Sequence, residues 1–258
     1  MSTTRFGVGR TLSQSFAVLF RLFPLFLIVL VVTGVPEMYA GHWITERLGE
    51  PVLQLHGSGT ISLICGSLAT GIFDGLTYGV LTFATVRILS GDPARIQACI
   101  RRGVAVWPQL AVVMGLQELC WQVSSETHHI VTQVVDLTAN MLILIALWLY
   151  SATVAVEGRG LGDGIRRSLS LVSGNGLRIL AILLIVVGMV VIPAVVIDEI
   201  APDGFAIFSP APDGIITIAN VLDRILTAFF AILAAVSFHQ IRTEKEGAPV
   251  EDLALVFD

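Results

Sequence analysis

Thirteen of the fifteen Lys and Arg residues fall on one side of a pattern of six long apolar runs. Arg5, Arg10 and Arg21 precede the first run, and Arg87, Arg95, Arg101 and Arg102 separate the second from the third. Arg159, Arg166, Arg167 and Arg178 separate the fourth from the fifth, and Arg242 and Lys245 follow the sixth. Only Arg47 and Arg224 lie elsewhere. Cytoplasmic loops of membrane proteins retain Lys and Arg. The expectation is therefore a multi-pass membrane protein with both termini in the cytoplasm.

The runs are long enough for that reading, since a helix crosses a bilayer with about 20 apolar residues. They cover residues 22–40, 59–85, 104–122, 130–156, 179–197 and 215–240. Residues 241–258 form a cytoplasmic tail, and residues 1–258 make a single polytopic domain. Spanning strands are not expected, because the apolar residues do not alternate with period two. The chain is 55% hydrophobic and 14% charged, with a mean hydropathy of +0.84. Soluble domains carry about 25% charged residues, so a soluble enzyme with a large core is a poor fit. No small-x-small site follows the first run, so no cleaved signal peptide is expected.

A short amphipathic stretch precedes each odd-numbered run. The first, RTLSQSFAVLFRLF, places Leu12, Phe16, Leu19 and Phe23 on one helical face. The second, DPARIQACIRRGVAVWP, sets Ile96, Cys99, Ile100 and Val104 apart from Arg95, Arg101 and Arg102; Asp92 can cap it and Pro93 suits its first position. The third, GLGDGIRRSLSLVSGN, opposes Leu161, Ile165, Leu169 and Val172 to Arg166 and Arg167, with a stop at Ser173–Gly176. The expected fold is an all-α integral membrane protein of six transmembrane helices. They form three hairpins, each preceded by a cytoplasmic amphipathic interfacial helix. Such helices lie at the headgroup level, so Arg95, Arg101, Arg102, Arg166 and Arg167 are expected to contact anionic lipid headgroups on the cytoplasmic side. The basic residues are too scattered for a nucleic-acid surface.

Three stretches carry a family resemblance. They are LTYGVLTFATVRILSGDPARIQACIRRGVAVWPQLAVVMGL, LWLYSATVAVEGRGLGDGIRRSLSLVSGN and the ending FHQIRTEKEGAPVEDLALVFD. Together they resemble a group of bacterial six-span proteins similar to the membrane domain of glycerophosphoryl diester phosphodiesterases. The resemblance implies a six-span fold in a bacterial cytoplasmic (inner) membrane. It implies no enzyme activity, because the soluble catalytic barrel of those enzymes has no counterpart in the sequence.

Ionisable residues inside spans are costly and mark functional candidates. Asp74, Glu118, Asp136, Asp223 and Arg224 qualify. At 1.5 Å per residue from the cytoplasmic ends they lie about 20 to 31 Å deep, in the outer half of the membrane. Asp223 and Arg224 are adjacent and face apart, so Arg224 is expected to reach an acid on another helix. Asp74 has Thr70, Thr77 and Tyr78 at helical spacing. The group forms either a polar cavity or a set of structural ion pairs.

Ser67, Gly71, Gly75 and Gly79 recur every four residues, a stripe that lets another helix approach closely. It serves packing within one chain or a homo-oligomer. Thr227, Ala231 and Ala235 make a comparable stripe in the sixth run. His42, His56, His128 and His129 lie in outer loops without a spaced ligand motif. Cys65 and Cys120 fall in apolar segments and Cys99 in a cytoplasmic loop. No metal site, cofactor or nucleophile–base pair is expected. The expected role is non-enzymatic: a scaffold, or an accessory subunit with a membrane-protein partner. The alternative is a small transporter or lipid-handling protein.

Overall fold

The computed structural model describes residues 6–49, 58–125, 130–200 and 218–247, and the described residues are all-helical. In chain order the helices are α1 (Val8–Arg21), α2 (Phe23–Val29), α3 (Val35–Leu48), α4 (Ser58–Leu89) and α5 (Ile96–Ser125). They continue with α6 (Ile130–Leu147), α7 (Tyr150–Ala155), α8 (Leu161–Val172), α9 (Gly176–Ile200) and α10 (Ile218–Glu246). Five segments are long and apolar enough to cross a membrane: Phe23–Leu48, Thr60–Leu89, Ile96–Val123, Thr138–Ala155 and Val221–Glu246. A sixth is added if α8 and the first part of α9, bent by 93° between them, count as one unit.

The first of these segments is not a uniform helix. Pro24 opens α2 at a position where its missing N–H costs nothing. Pro36 sits in the first turn of α3 and would crowd the carbonyl four residues back, at Val32. That carbonyl lies in a wide π-helical turn, Leu30–Gly34, which loosens the backbone where the ring needs room.

The second amphipathic stretch departs from expectation. It is not a separate interfacial helix but the first turns of α5, which runs on through Pro108 to Ser125. The helix begins later than the sequence suggests: Asp92 pairs with Arg87 at 3.5 Å and the backbone N–H of Cys99 reaches the carbonyl of Arg95. Packing explains the continuity. Gly103 lies against Val80 of α4, so closely that a Cβ there would come within 2.4 Å of a Val80 methyl. Cys99, expected in a loop, is buried within this helix. The third stretch does form a separate helix, α8, which ends at Ser173 before Gly174 turns at φ +83°.

Two helices organise the interior. α4 meets α5 along the small-residue stripe. A Cβ on Gly71 would lie 2.4 Å from the Gly115 Cα, and one on Gly75 2.6 Å from the Ala111 nitrogen. The Trp107 indole N–H crosses the seam to the Ile72 carbonyl at 2.6 Å. α10 is the axial helix, and residues 231–238 are all buried. α1 docks on its far end, where the Thr11 hydroxyl donates to Gln240 Oε1 at 2.9 Å. Outward-facing positions are strongly apolar, with Phe20 75% and Leu177 83% exposed. Such faces call for a lipid or protein neighbour.

Candidate functional site

The densest charged group joins three parts of the chain. Arg224, in the second turn of α10, extends its stem over Gly34, where a Cβ would lie 3.3 Å from the Arg224 Cγ. Its guanidinium Nη1 donates to Asp74 Oδ1 of α4 at 2.7 Å and to the Glu37 carboxylate in the first turn of α3. Nη2 donates to Asp223 Oδ2 at 2.5 Å. Glu37, Asp74 and Arg224 are largely buried, whereas the Asp223 side chain is 60% exposed. Thr70, one turn before Asp74, is a further hydrogen-bond partner of Glu37. Thr77 instead meets Thr33 across the π-turn, hydroxyl to hydroxyl at 2.9 Å.

Arg224 thus reaches acids on other helices, as a lone cation in an apolar run must. Two details differ from the sequence reading. Asp223 does bind its neighbour, because near the end of α10 its exposed side chain can bend back. Glu37 was not among the candidates at all. The signal for it was present: an acid directly after Pro36 inside the first apolar run.

Glu118 is not a direct partner of Arg224, although it is close enough to Asp74 to act on it electrostatically. It accepts a hydrogen bond from Gln122 Nε2 at 2.8 Å, and Gln122 Oε1 accepts one from Ser67 at 3.3 Å. Glu118 lines a cavity of about 180 Å³ with Gln117, Trp121 and Asn140. Asp136 belongs to α6, but its side chain lies outside the described residues, as do His56, His128, His129 and the tail from 248 onward. Among the described residues no group of three or more His, Cys, Asp or Glu is placed to hold a metal.

A second charged group closes the opposite end. Glu157 lies 2.6 Å from Arg159, 3.0 Å from Arg167 and 3.9 Å from Arg242. Arg167 also binds Glu246 at 2.5 Å. Burial alone would lower the Arg167 guanidinium, but hydrogen bonds and charge from Glu157 and Glu246 outweigh it and hold it above its ordinary value. Lys245 Nζ donates to the Ser170 and Ser173 carbonyls at 2.7 Å each, capping α8.

The five cations expected to contact headgroups differ in their surroundings. Arg167 is tied into the bundle, and Arg102 donates from Nε to the Ala155 carbonyl at 2.7 Å, at the end of α7. Arg95, Arg101 and Arg166 are exposed. The stripe of Gly71, Gly75 and Gly79 packs on α5 of the same chain.

The class defined by these features is an all-helical protein with several helices long and apolar enough to span a membrane, closed by charged groups at two levels. Residues 96–241 match the family described as Domain of unknown function (DUF7847), and the chain belongs to that family. No curated protein and no solved structure matches it. The match includes Glu118, Arg224 and the α5 cations, whereas Gly34, Glu37 and Asp74 precede it.

Proposed function

We propose that this chain is a six-span protein of a bacterial cytoplasmic membrane with both termini in the cytoplasm. Its hairpins would be α2–α3 with α4, α5 with α6–α7, and α9 with α10. The amphipathic α1 and α8 would lie in the inner interface, and the near-right-angle bend between α8 and α9 suits that arrangement. Its role is non-enzymatic, as a scaffold or accessory subunit of a membrane complex.

One observation carries this reading. The intramembrane cation is shared among Glu37, Asp74 and Asp223 of its own chain, so its charge locks α3, α4 and α10 together. Such a lock suits a rigid platform. The resemblance to a membrane domain that accompanies a catalytic domain fits a module serving another polypeptide. The test is affinity capture in gentle detergent with quantitative mass spectrometry. A companion membrane protein at fixed stoichiometry is expected. No companion, together with cation or proton flux in proteoliposomes, would overturn the role.

A second reading, a small transporter, has its own support. Three carboxylates meet one guanidinium, so neutrality at depth calls for a proton or a further cation. Asp74→Asn should abolish flux under that reading and leave partner capture unchanged under the first.

A further inference from the structure

Between the end of α4 and the start of α5 lies a cavity of about 610 Å³. Arg87 of α4, Arg95 just before α5, and Arg101 and Arg102 of α5 all line it, and no acid does among the described residues. The imbalance is written into the sequence: residues 75–117 hold these four cations and a single acid, Asp92. Asp92 meets Arg87 at Nε, 3.5 Å away. Arg102 donates from Nε to the Ala155 carbonyl, which carries no full charge. Arg95 and Arg101 are exposed and make no ion pair among the described residues. Like charges gathered around one space repel, and an anion placed between them turns that repulsion into attraction.

The start of α5 adds to the same field. Its first N–H groups, at Ile96, Gln97 and Ala98, have no acceptor inside the helix and stand at its positive end. Pro93, Arg95 and Ala98, around that start, all line the cavity. Every cation here is an arginine, whose planar fork pairs with phosphate oxygens, and arginine clusters recognise phosphorylated groups. A tetrahedral phosphate offers oxygens to guanidiniums arriving from two helices, whereas a carboxylate offers its two oxygens in one plane. Pockets that take small molecules span roughly 300–1,000 Å³. A bare phosphate fills a small part of this space, which leaves room for a group attached to it.

We infer that the α4–α5 cavity is a binding site for a phosphate group, free or carried on a larger molecule, held by Arg87, Arg95, Arg101 and Arg102. A soluble phosphate and a lipid headgroup are the two sources of that chemistry. The site is separate from the Arg224 group, and it stands whether or not the chain serves as a scaffold.

The test has two arms. In the first, the full chain in neutral detergent is titrated with inorganic phosphate by calorimetry. In the second, it sits in phosphatidylcholine nanodiscs doped with phosphatidylglycerol, and retained lipid is counted by native mass spectrometry. Saturable binding in the first arm supports the site with a soluble phosphate as its ligand. Preferential retention of phosphatidylglycerol in the second arm alone supports it with a headgroup. In whichever arm binds, Arg101→Gln should weaken binding about tenfold or more, the loss expected for one charge-assisted hydrogen bond. Arg95→Gln/Arg101→Gln should weaken it further. Arg166→Gln, which removes an exposed cation outside the cavity, should leave it unchanged. Ala98→Leu narrows the cavity without altering charge and should also lower binding. Binding in neither arm overturns the site, as does a double variant that binds like the wild type. Acetate competing as well as phosphate overturns the assignment to phosphate.

Discussion

The Arg224 side chain passes directly over Gly34, with its Cγ 3.3 Å from where a β-carbon on that glycine would stand. The flexible stem can yield a few tenths of an ångström to a methyl group but not to a branched chain. Gly34→Ala is expected to fold almost normally. Gly34→Leu should push the guanidinium off Glu37 and Asp74 and cost about 1–3 kcal/mol, as overpacking does. Thermal unfolding in detergent distinguishes the two; equal melting temperatures would remove the glycine's role.

Removing the guanidinium should be worse than removing one of its acids. Arg224→Gln strands Glu37 and Asp74 without a cation, and breaking a buried pair from one side costs about 3–5 kcal/mol. Asp74→Asn keeps an acceptor in place while Glu37 still holds the charge, so its loss should be clearly smaller. Size-exclusion recovery and melting of both variants give the order, and a reversed order would contradict the lock.

The α4–α5 seam offers an internal control. Gly71→Ala drives a methyl group into the Gly115 backbone, whereas Gly66→Ala on the same helix meets nothing within 4 Å. The first should destabilise by about 1–3 kcal/mol. The second should be neutral or slightly stabilising, since alanine is the better helix former. Chemical denaturation in mixed micelles is the measurement.

The proposed orientation rests on the sorting of Lys and Arg. In a cysteine-free background, Glu46→Cys at the end of α3 should react with an impermeant maleimide in intact cells. Gly162→Cys in the first turn of α8 should react only after permeabilisation. Both positions are exposed. The opposite pattern would invert the topology.

The charged group around Glu157 should behave as a unit. A double-mutant cycle between Glu157→Gln and Arg167→Gln should give a coupling of about 0.5–3 kcal/mol. Arg166→Gln, one residue away and solvent-facing, should add independently of Glu157→Gln. Additivity throughout would mean that the 3.0 Å contact carries no stability.

Much of the helical framework was readable because apolar runs and charge sorting act over 20 residues at a time. Arg224 was readable for the same reason: a cation inside such a run has to find an acid on another helix. Glu37 was overlooked because proline, glycine and the acid together resemble the fraying end of a span. The segment instead stays helical, passing through the π-turn Leu30–Gly34 into α3. The second amphipathic stretch misled because its arginines resemble an interfacial helix. Its fusion into α5 is imposed by Gly103 nesting on Val80, a contact no local pattern contains. Nor does helical spacing tell Arg166 from Arg167: which one is tied down depends on Glu157, just before α8, and on Glu246, on a helix formed much later in the chain.

That dependence on α10 sets an order of assembly. Glu37 and its partner Arg224 are 187 positions apart. At about 5–20 residues per second of synthesis, the acid emerges from the ribosome roughly ten to forty seconds before the cation that neutralises it. Asp74, Thr11 and Arg167 wait on the same late helix. Until α10 arrives, Glu37 and Asp74 lack their cation. The bundle is incomplete up to that moment, and the last helix to be made completes the pairing that the earlier ones began.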